Sequence, residues 1–156
     1  MSPIYRSSVL RSLAVVVVLG AALAAGASAS GARTAGLELD GVPFRPQIAL
    51  TPSQREVGLM HRAKAPADGM LFVFPSDTTD GFWMKNTLVP LTIVFFDAAG
   101  ARVRRLSMTP CRAEPCRIYY PRRSYRFALE LRASDTRPAR LLGSRAALAR
   151  LLGRVR

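Results

Sequence analysis

Apolar and polar residues alternate with a period of two in several segments of the chain, which is typical of β-strands. The stretch GLELDGVPFRPQIAL (36–50) alternates around Asp40-Gly41, a dipeptide that favours a hairpin turn. MLFVF (70–74) and LTIVFF (91–96) are apolar on both faces, which predicts strands that are covered on both sides. RFALEL (126–131) alternates strictly and predicts a strand with one buried face. The pattern therefore predicts a β-rich domain.

One short helix is predicted after the hairpin, in TPSQREVGLM (51–60). Thr51 fits the N-cap, Pro52 fits the first helical position, and Gln54 completes a capping box. We therefore expect a helix from Pro52 to about Met60.

Further segments complete the fold class. FWMK (82–85) and ARVRRLSM (101–108) add strands, and PSDTTDG (75–81) reads as a turn-rich break. Together the chain predicts a single small α+β domain over residues 37–133 with six or seven short strands. We expect a strongly curved sheet or a small barrel.

The Arg- and Leu-rich tail, residues 134–156, predicts a C-terminal helix. Leu141, Leu148 and Leu152 share one face of it, and Arg145 projects into the same stripe. A helix that lies on a membrane keeps its cations on the opposite face, so docking on the domain, or fraying, is favoured over membrane binding.

The first residues have the pattern of a signal peptide. Arg6 and Arg11 give a positive start, an apolar run (13–25) follows, and Ala27-Ser28-Ala29 offers small residues for cleavage. The apolar run is shorter than the ~20 residues of a membrane-spanning helix, although an uncleaved anchor stays the alternative. We predict a signal peptide over residues 1–29 and a periplasmic or secreted protein.

The two cysteines, Cys111 and Cys116, lie in PCRAEPC. In an oxidising compartment, with no other cysteine to compete, this pair predicts a disulfide that closes a tight loop. A redox or metal role is the alternative, but the spacing is not that of a thioredoxin-like motif and no second ligand pair is present.

Positive charge is concentrated in the C-terminal half. The whole chain has a net charge of +13, and residues 101–156 hold fifteen arginines against three acidic residues. Such a half favours weak contact with an anionic envelope surface. The arginines are scattered and the protein is expected to be exported, so we expect no nucleic-acid partner. A solvated basic face is the simpler interpretation.

Four stretches carry a resemblance to a known family: GLMHR (58–62), DGMLFVF (68–74), FWMKNTLVPL (82–91) and PCRAEPCRIYY (110–120). In this order they resemble the bacterial and archaeal family called domain of unknown function 192. The resemblance implies a small β-rich α+β domain, often exported, with no established reaction, ligand or cofactor. Thr92 stands where the family often has an aspartate.

The entrance to the second apolar run offers a candidate ligand site. If residues 82–87 are a strand, Trp83, Lys85 and Thr87 share one face. An indole beside hydrogen-bond donors is suited to a sugar ring or a carboxylate. We add Asn86 from the same motif, and we expect Arg62 and Asp68 from the preceding loop as neighbours. The alternative is structural: Trp83 covers the core, Lys85 reaches solvent and Asn86 bonds the following turn.

Two other chemistries are compatible with the residue types. Asp77 or Asp80 with the only histidine, His61, forms the basis of an enzyme hypothesis, although loop aspartates usually bond their own backbone. No nucleophile triad, zinc motif or phosphate loop is present.

The methionines suggest a Cu(I) site, since thioethers are soft ligands. Met60, Met70 and Met84, with Met108 before the cysteine loop, would supply them. Methionines that end a helix or line strands more often fill a core.

The leading hypothesis is a non-catalytic binding or accessory domain for an anionic or glycan-like ligand, without cofactor. The sequence leaves the oligomeric state open.

Overall fold

The computed structural model describes residues 33–142 and 145–152, so the predicted signal peptide (1–29) lies outside the described residues. Within them the α+β class is confirmed. The strands are β1 Leu37–Leu39, β2 Val42–Phe44, β3 Gln47–Ala49, β4 Met70–Thr78, β5 Phe82–Trp83, β6 Leu91–Phe96, β7 Arg102–Met108, β8 Ile118–Tyr119 and β9 Tyr125–Arg132. The helices are α1 Pro52–Val57, a 3-10 helix Arg137–Ala139 and α2 Arg145–Leu152.

The main sheet has five strands in the order β3-β4-β9-β6-β7. Strands β3 and β4 are parallel, and the other neighbours are antiparallel. The sheet is open, with β3 and β7 at its edges, and the described residues form no closed barrel. Two smaller pairs, the hairpin β1-β2 and the pair β5-β8, complete the fold. The predicted hairpin around Asp40-Gly41 is confirmed.

Each face of the sheet is covered by an apolar core. The first face packs against the hairpin β1-β2 and α2, and we call this the tail-side core. The second face packs against the segment after α1 and the pair β5-β8, and we call this the loop-side core. Tail-side residues from outside the sheet are Ala35, Leu37, Leu39, Phe44, Leu50, Leu141, Ala147, Leu148 and Leu151. Loop-side residues from outside the sheet are Leu59, Ala65, Met84 and Tyr119.

The sequence pattern gave a wrong prediction for the burial of strand β9. It lies between β4 and β6, and residues on both of its faces are buried, including Ala128 and Glu130. The prediction of a half-buried strand at 126–131 is therefore wrong. The local alternation is genuine, but both faces of a central strand are covered here by packed layers.

Helix α1 shows the predicted capping box. The Thr51 side chain accepts a hydrogen bond from the Gln54 N–H, and the Gln54 side chain accepts one from the Thr51 N–H. The helix ends at Val57, earlier than predicted, because Gly58 adopts a φ of 48° and its N–H bonds back to Gln54.

Strand β4 is longer than predicted and continues through the expected break at 75–78, with a register shift between Val73 and Thr78. The Arg126 guanidinium donates to the carbonyls of Phe74 (2.8 Å) and Pro75 (2.6 Å) at this irregularity. Side-chain donors thus supply hydrogen bonds to a stretch that turn-forming residues would otherwise interrupt.

The tail begins with the 3-10 helix, and α2 then runs over Arg145–Leu152. Ala147, Leu148 and Leu151 of α2 are buried in the tail-side core. The helix is thus docked on the domain. Within the described part of the chain, no helix is both long and apolar enough to cross a membrane.

Candidate functional site

The pair β5-β8 presents an apolar surface to solvent. Trp83 lies opposite Ile118 in the antiparallel register, and their side chains are 45% and 44% exposed. Tyr120, just beyond β8, is 52% exposed. Phe82 and Tyr119 face the loop-side core on the other side of the pair. We call Trp83, Ile118 and Tyr120 the Trp83 surface.

Gly81 lets the Trp83 surface pack closely. A Cβ at this position would lie 2.3 Å from Ile118 Cγ2 and 2.9 Å from the Tyr120 ring. Real Cβ atoms do not approach other atoms so closely, so the absence of a side chain brings Ile118 and Tyr120 together over the backbone.

Residues 84–87 leave the strand and form a turn, which we call the Lys85 turn. The Thr87 N–H bonds the Met84 carbonyl (3.2 Å), and Asn86 has a φ of 54°. Asparagine tolerates this left-handed conformation better than most residues. Met84 and Thr87 are buried, whereas Trp83 is exposed and Lys85 is half-buried. The predicted single face of Trp83, Lys85 and Thr87 is therefore wrong, because the strand ends at Trp83.

Lys85 is held between an aromatic ring and a carboxylate. Its Nζ lies 5.5 Å from the centre of the Trp83 ring and 3.0 Å from Glu114 Oε1. Glu114 Oε2 also accepts a hydrogen bond from the Cys116 N–H (3.0 Å). The Lys85 hydrogen bond, followed by that from Cys116, holds the pKa of Glu114 below its ordinary value. Sequence reasoning missed Glu114, because only the folded loop brings it to Lys85.

The predicted disulfide between Cys111 and Cys116 is present in the structure, with a Cα–Cα distance of 5.5 Å. That distance lies within the ~4.4–6.8 Å range usual for disulfides. The Cys111 N–H donates to the Met84 carbonyl (3.3 Å). The loop that carries Glu114 is therefore attached to the Lys85 turn through both its backbone and its side chain.

Arg62 contacts a different part of the sheet. Its Nη1 donates to Gln47 Oε1 over 2.8 Å, at the start of β3. The preceding His61 N–H bonds the Asn86 carbonyl (2.8 Å), and both His61 and Asn86 have positive φ. The loop after α1 thus meets the Lys85 turn through the backbone.

Asp68 fastens the domain to its C-terminal segment. Its Oδ1 pairs with Arg137 Nη1 (2.9 Å), and its Oδ2 accepts from the Arg45 N–H (2.9 Å). Burial acts to raise the pKa of Asp68, but the hydrogen bonds from Arg137 and Arg45 leave that pKa below its ordinary value. Arg137 also pairs with Asp135 (2.7 Å). Asp68 therefore has a structural role, because it connects Arg45 to Arg137.

The residues of the enzyme hypothesis have separate partners. Asp77 Oδ1 pairs with Arg126 (3.1 Å), whereas the Asp80 carbonyl accepts from the Tyr125 hydroxyl (3.0 Å). His61 is exposed. Over residues 33–142, no hydrogen bond or ion pair joins the side chains of Asp77, Asp80 and His61. The geometry thus adds no support to acid–base chemistry at these positions.

Three of the four methionines considered for copper are buried. Met70, Met84 and Met108 all belong to the loop-side core, and Met60 is half-buried. This placement favours packing over metal binding. Among the residues that the structure describes, no group of three or more His, Cys, Asp or Glu side chains is arranged to hold a metal ion.

Glu130 is a second feature that sequence reasoning missed. It is 4% exposed and lies in the sheet between Met70 of β4 and Ile93 of β6. Burial raises the pKa of Glu130 to about 8. Within the described part of the chain its carboxyl group has no ion-pair partner within 4 Å. The apolar runs at 70–74 and 91–96 could have predicted the burial of Glu130, because a strand that pairs between two covered strands has covered faces itself.

Comparisons with known proteins agree with this fold. The sequence profile of the family DUF192, described as an uncharacterized ACR, matches residues 35–142. A crystal structure from Sinorhizobium meliloti 1021, described as that of a candidate transcription regulator, has 32% identity and a TM-score of 0.55, covering 63% of this chain and 78% of that chain. A protein of unknown function from Novosphingobium aromaticivorans DSM 12444 has 22% identity and a TM-score of 0.63, covering 74% and 86%. No curated protein matches the chain.

Proposed function

The chain belongs to the DUF192 family, and we propose that it is a non-catalytic, exported binding domain whose ligand site is the Trp83 surface with Lys85. The observation that carries this proposal is the exposed Trp83 ring beside Ile118, with the Lys85 ammonium 5.5 Å from the ring centre. A ring of this size is usually kept largely from water in a small domain. Its exposure beside other apolar side chains is typical of a binding surface.

The aromatic part of this surface suits the ring of a sugar, whether neutral or acidic. The Trp83 and Tyr120 rings offer flat apolar area with polar edges, onto which the C–H face of a sugar packs. Lys85 keeps two further N–H donors besides the one that faces Glu114. A flat apolar area with a few fixed polar groups is what small-molecule sites usually combine.

The proposal of export has support from two features. The first residues have the pattern of a signal peptide. The disulfide between Cys111 and Cys116 is the kind of bond that persists outside the reducing cytosol. The basic C-terminal half adds a means of weak contact with an anionic envelope surface.

The two α-helices of this chain do not resemble the DNA-reading helix of a transcription regulator. Helix α1 has six residues, and α2 packs buried residues on the sheet. Neither of these two helices is a free helix of the kind that enters a DNA groove.

Because Trp83 is the only tryptophan, its fluorescence reports directly on the proposed site. We expect a saturable change in emission with chitotriose, maltotriose or trigalacturonate at millimolar concentration or below. Calorimetry should show that Trp83→Ala loses this binding, and that Lys85→Ala weakens it several-fold. Leu142→Ala is the matched control, since it also removes an exposed apolar side chain. Absence of binding to all three probes, or unchanged binding in Trp83→Ala, would overturn the proposal.

A further inference from the structure

The Lys85–Glu114 pair determines which sugars the Trp83 surface accepts: we infer that the site selects neutral glycans with adjacent hydroxyl groups over anionic ones. This inference rests on the proposed function and assigns Glu114 as its specificity-determining residue. The observation behind it is the position of Glu114 Oε1, 3.0 Å from the Lys85 Nζ that lies beside the Trp83 ring.

The pair offers both kinds of hydrogen-bonding group. An ammonium carries three donors, and a carboxylate carries about four lone-pair positions on its two oxygens. One donor of Lys85 faces Glu114, and Glu114 Oε2 accepts from the Cys116 N–H. Two donors and further lone pairs remain open, because the two side chains are 44% and 60% exposed. Adjacent sugar hydroxyls both donate and accept, so they match this arrangement.

An anionic ligand matches it less well. The carboxylate of Glu114 already neutralises Lys85, so a second carboxylate at Lys85 would lie close to a like charge. Like charges placed together oppose binding and serve to exclude wrong partners. Glu114 stays ionised at neutral pH, since Lys85 and the Cys116 N–H hold its pKa below the ordinary value. The site therefore discriminates against uronic acids.

The disulfide loop keeps the pair beside the ring. The loop closed by Cys111 and Cys116 contains Glu114 and is attached to the Lys85 turn by the bond from the Cys111 N–H to the Met84 carbonyl. A long lysine side chain would otherwise sample many rotamers.

The test compares wild type with Glu114→Gln by calorimetry, using the better-bound neutral trisaccharide and trigalacturonate. We expect wild type to bind the neutral sugar at least ten-fold more tightly. Glu114→Gln removes the negative charge and keeps the shape, so neutral binding should weaken about five-fold while trigalacturonate binding strengthens. Glu38→Gln, an exposed glutamate of the hairpin, is the matched control and should change neither.

The outcomes separate the inference from the proposed function. If wild type binds one probe through Trp83 but prefers trigalacturonate, or if Glu114→Gln leaves the preference unchanged, the inference is wrong and the proposed function stands. If no probe binds to wild type, the proposed function itself is overturned. A second variant, the double change Cys111→Ser and Cys116→Ser, should weaken the preference for the neutral sugar. An unchanged preference in that variant would contradict the role given to the loop.

Discussion

Two glutamates of this small domain, Glu114 and Glu130, have carboxyl groups in opposite environments. Glu114 is exposed on a surface loop, and Lys85 with a backbone N–H holds its pKa below the ordinary value. Glu130 lies in the centre of the sheet, where burial raises its pKa to about 8. The first is an ion with partners, whereas burial favours the neutral form of the second. The contrast teaches that exposure and partners, not residue type, decide the charge state here.

The same contrast separates the two regions around these residues. The region of Glu114 is a surface in which charged and aromatic side chains are exposed to solvent. The region of Glu130 is packed between β4 and β6, and the neutral carboxyl is compatible with that packing. Changes in the first region should alter binding, and changes in the second should alter stability.

The largest expected effect is the pH dependence that Glu130 gives to stability. Its folded pKa of about 8 lies above its ordinary value of 4.5, so its contribution is complete below pH 4.5 and is lost as the pH rises towards 8. Glu130→Gln removes this titration. Between pH 4.5 and 8, the free energy of unfolding of wild type should fall by roughly 3–5 kcal/mol relative to that of the variant.

Urea denaturation at several pH values measures this difference. Glu38→Gln is the control, since Glu38 is exposed and its removal should leave the wild-type pH dependence in place. Parallel pH curves for wild type and Glu130→Gln would show that Glu130 ionises normally in the folded protein.

A smaller effect is expected from adding one methyl group at either of two glycines. Gly69 has a φ of 69°, and a Cβ there would lie 1.8 Å from the Glu130 backbone carbonyl oxygen. Gly69→Ala should therefore lower the free energy of unfolding by at least about 2 kcal/mol, because backbone must move and a left-handed alanine is strained.

Gly81→Ala is the matched variant in the other region. The added Cβ there meets the side chains of Ile118 and Tyr120, which are exposed and can rotate away. We expect a loss of stability within about 1 kcal/mol, together with weaker ligand binding. Thermal denaturation of both variants gives the comparison. Equal losses of stability would contradict the view that only the Glu130 region is tightly packed.

How much the sequence predicts differs between these regions for a physical reason. The apolar runs at 70–74 and 91–96 predict strands covered on both sides, and the structure confirms this burial for residues 70–73 and 91–96, whereas Phe74 is half-buried. The burial of Glu130 follows only when β9 is placed between those strands. Strand order depends on pairing between distant segments, and the alternation within one segment does not show which strands will be its neighbours.

For the Trp83 surface, too, the local sequence predicts the nearby features but not the contacts between distant segments. Local residue types predict the hairpin, the capping box and the disulfide loop, because each depends on neighbours within a few positions. They also single out Trp83 and Lys85. The end of β5 at Trp83 depends on the left-handed Asn86, which an uninterrupted strand pattern hides. Glu114 is far from Lys85 in sequence, so only the folded loop identifies it as the partner of Lys85.

The most direct test of the central claim is the single indole N–H resonance of Trp83 in a two-dimensional 15N–1H NMR titration with the neutral trisaccharide. Since the chain has one tryptophan, that resonance needs no assignment. The account predicts a saturable shift of the indole resonance, with amide shifts concentrated at Lys85 and in the 111–120 segment and none around Glu130. A saturable response elsewhere in the domain, with the indole resonance unchanged, would contradict it.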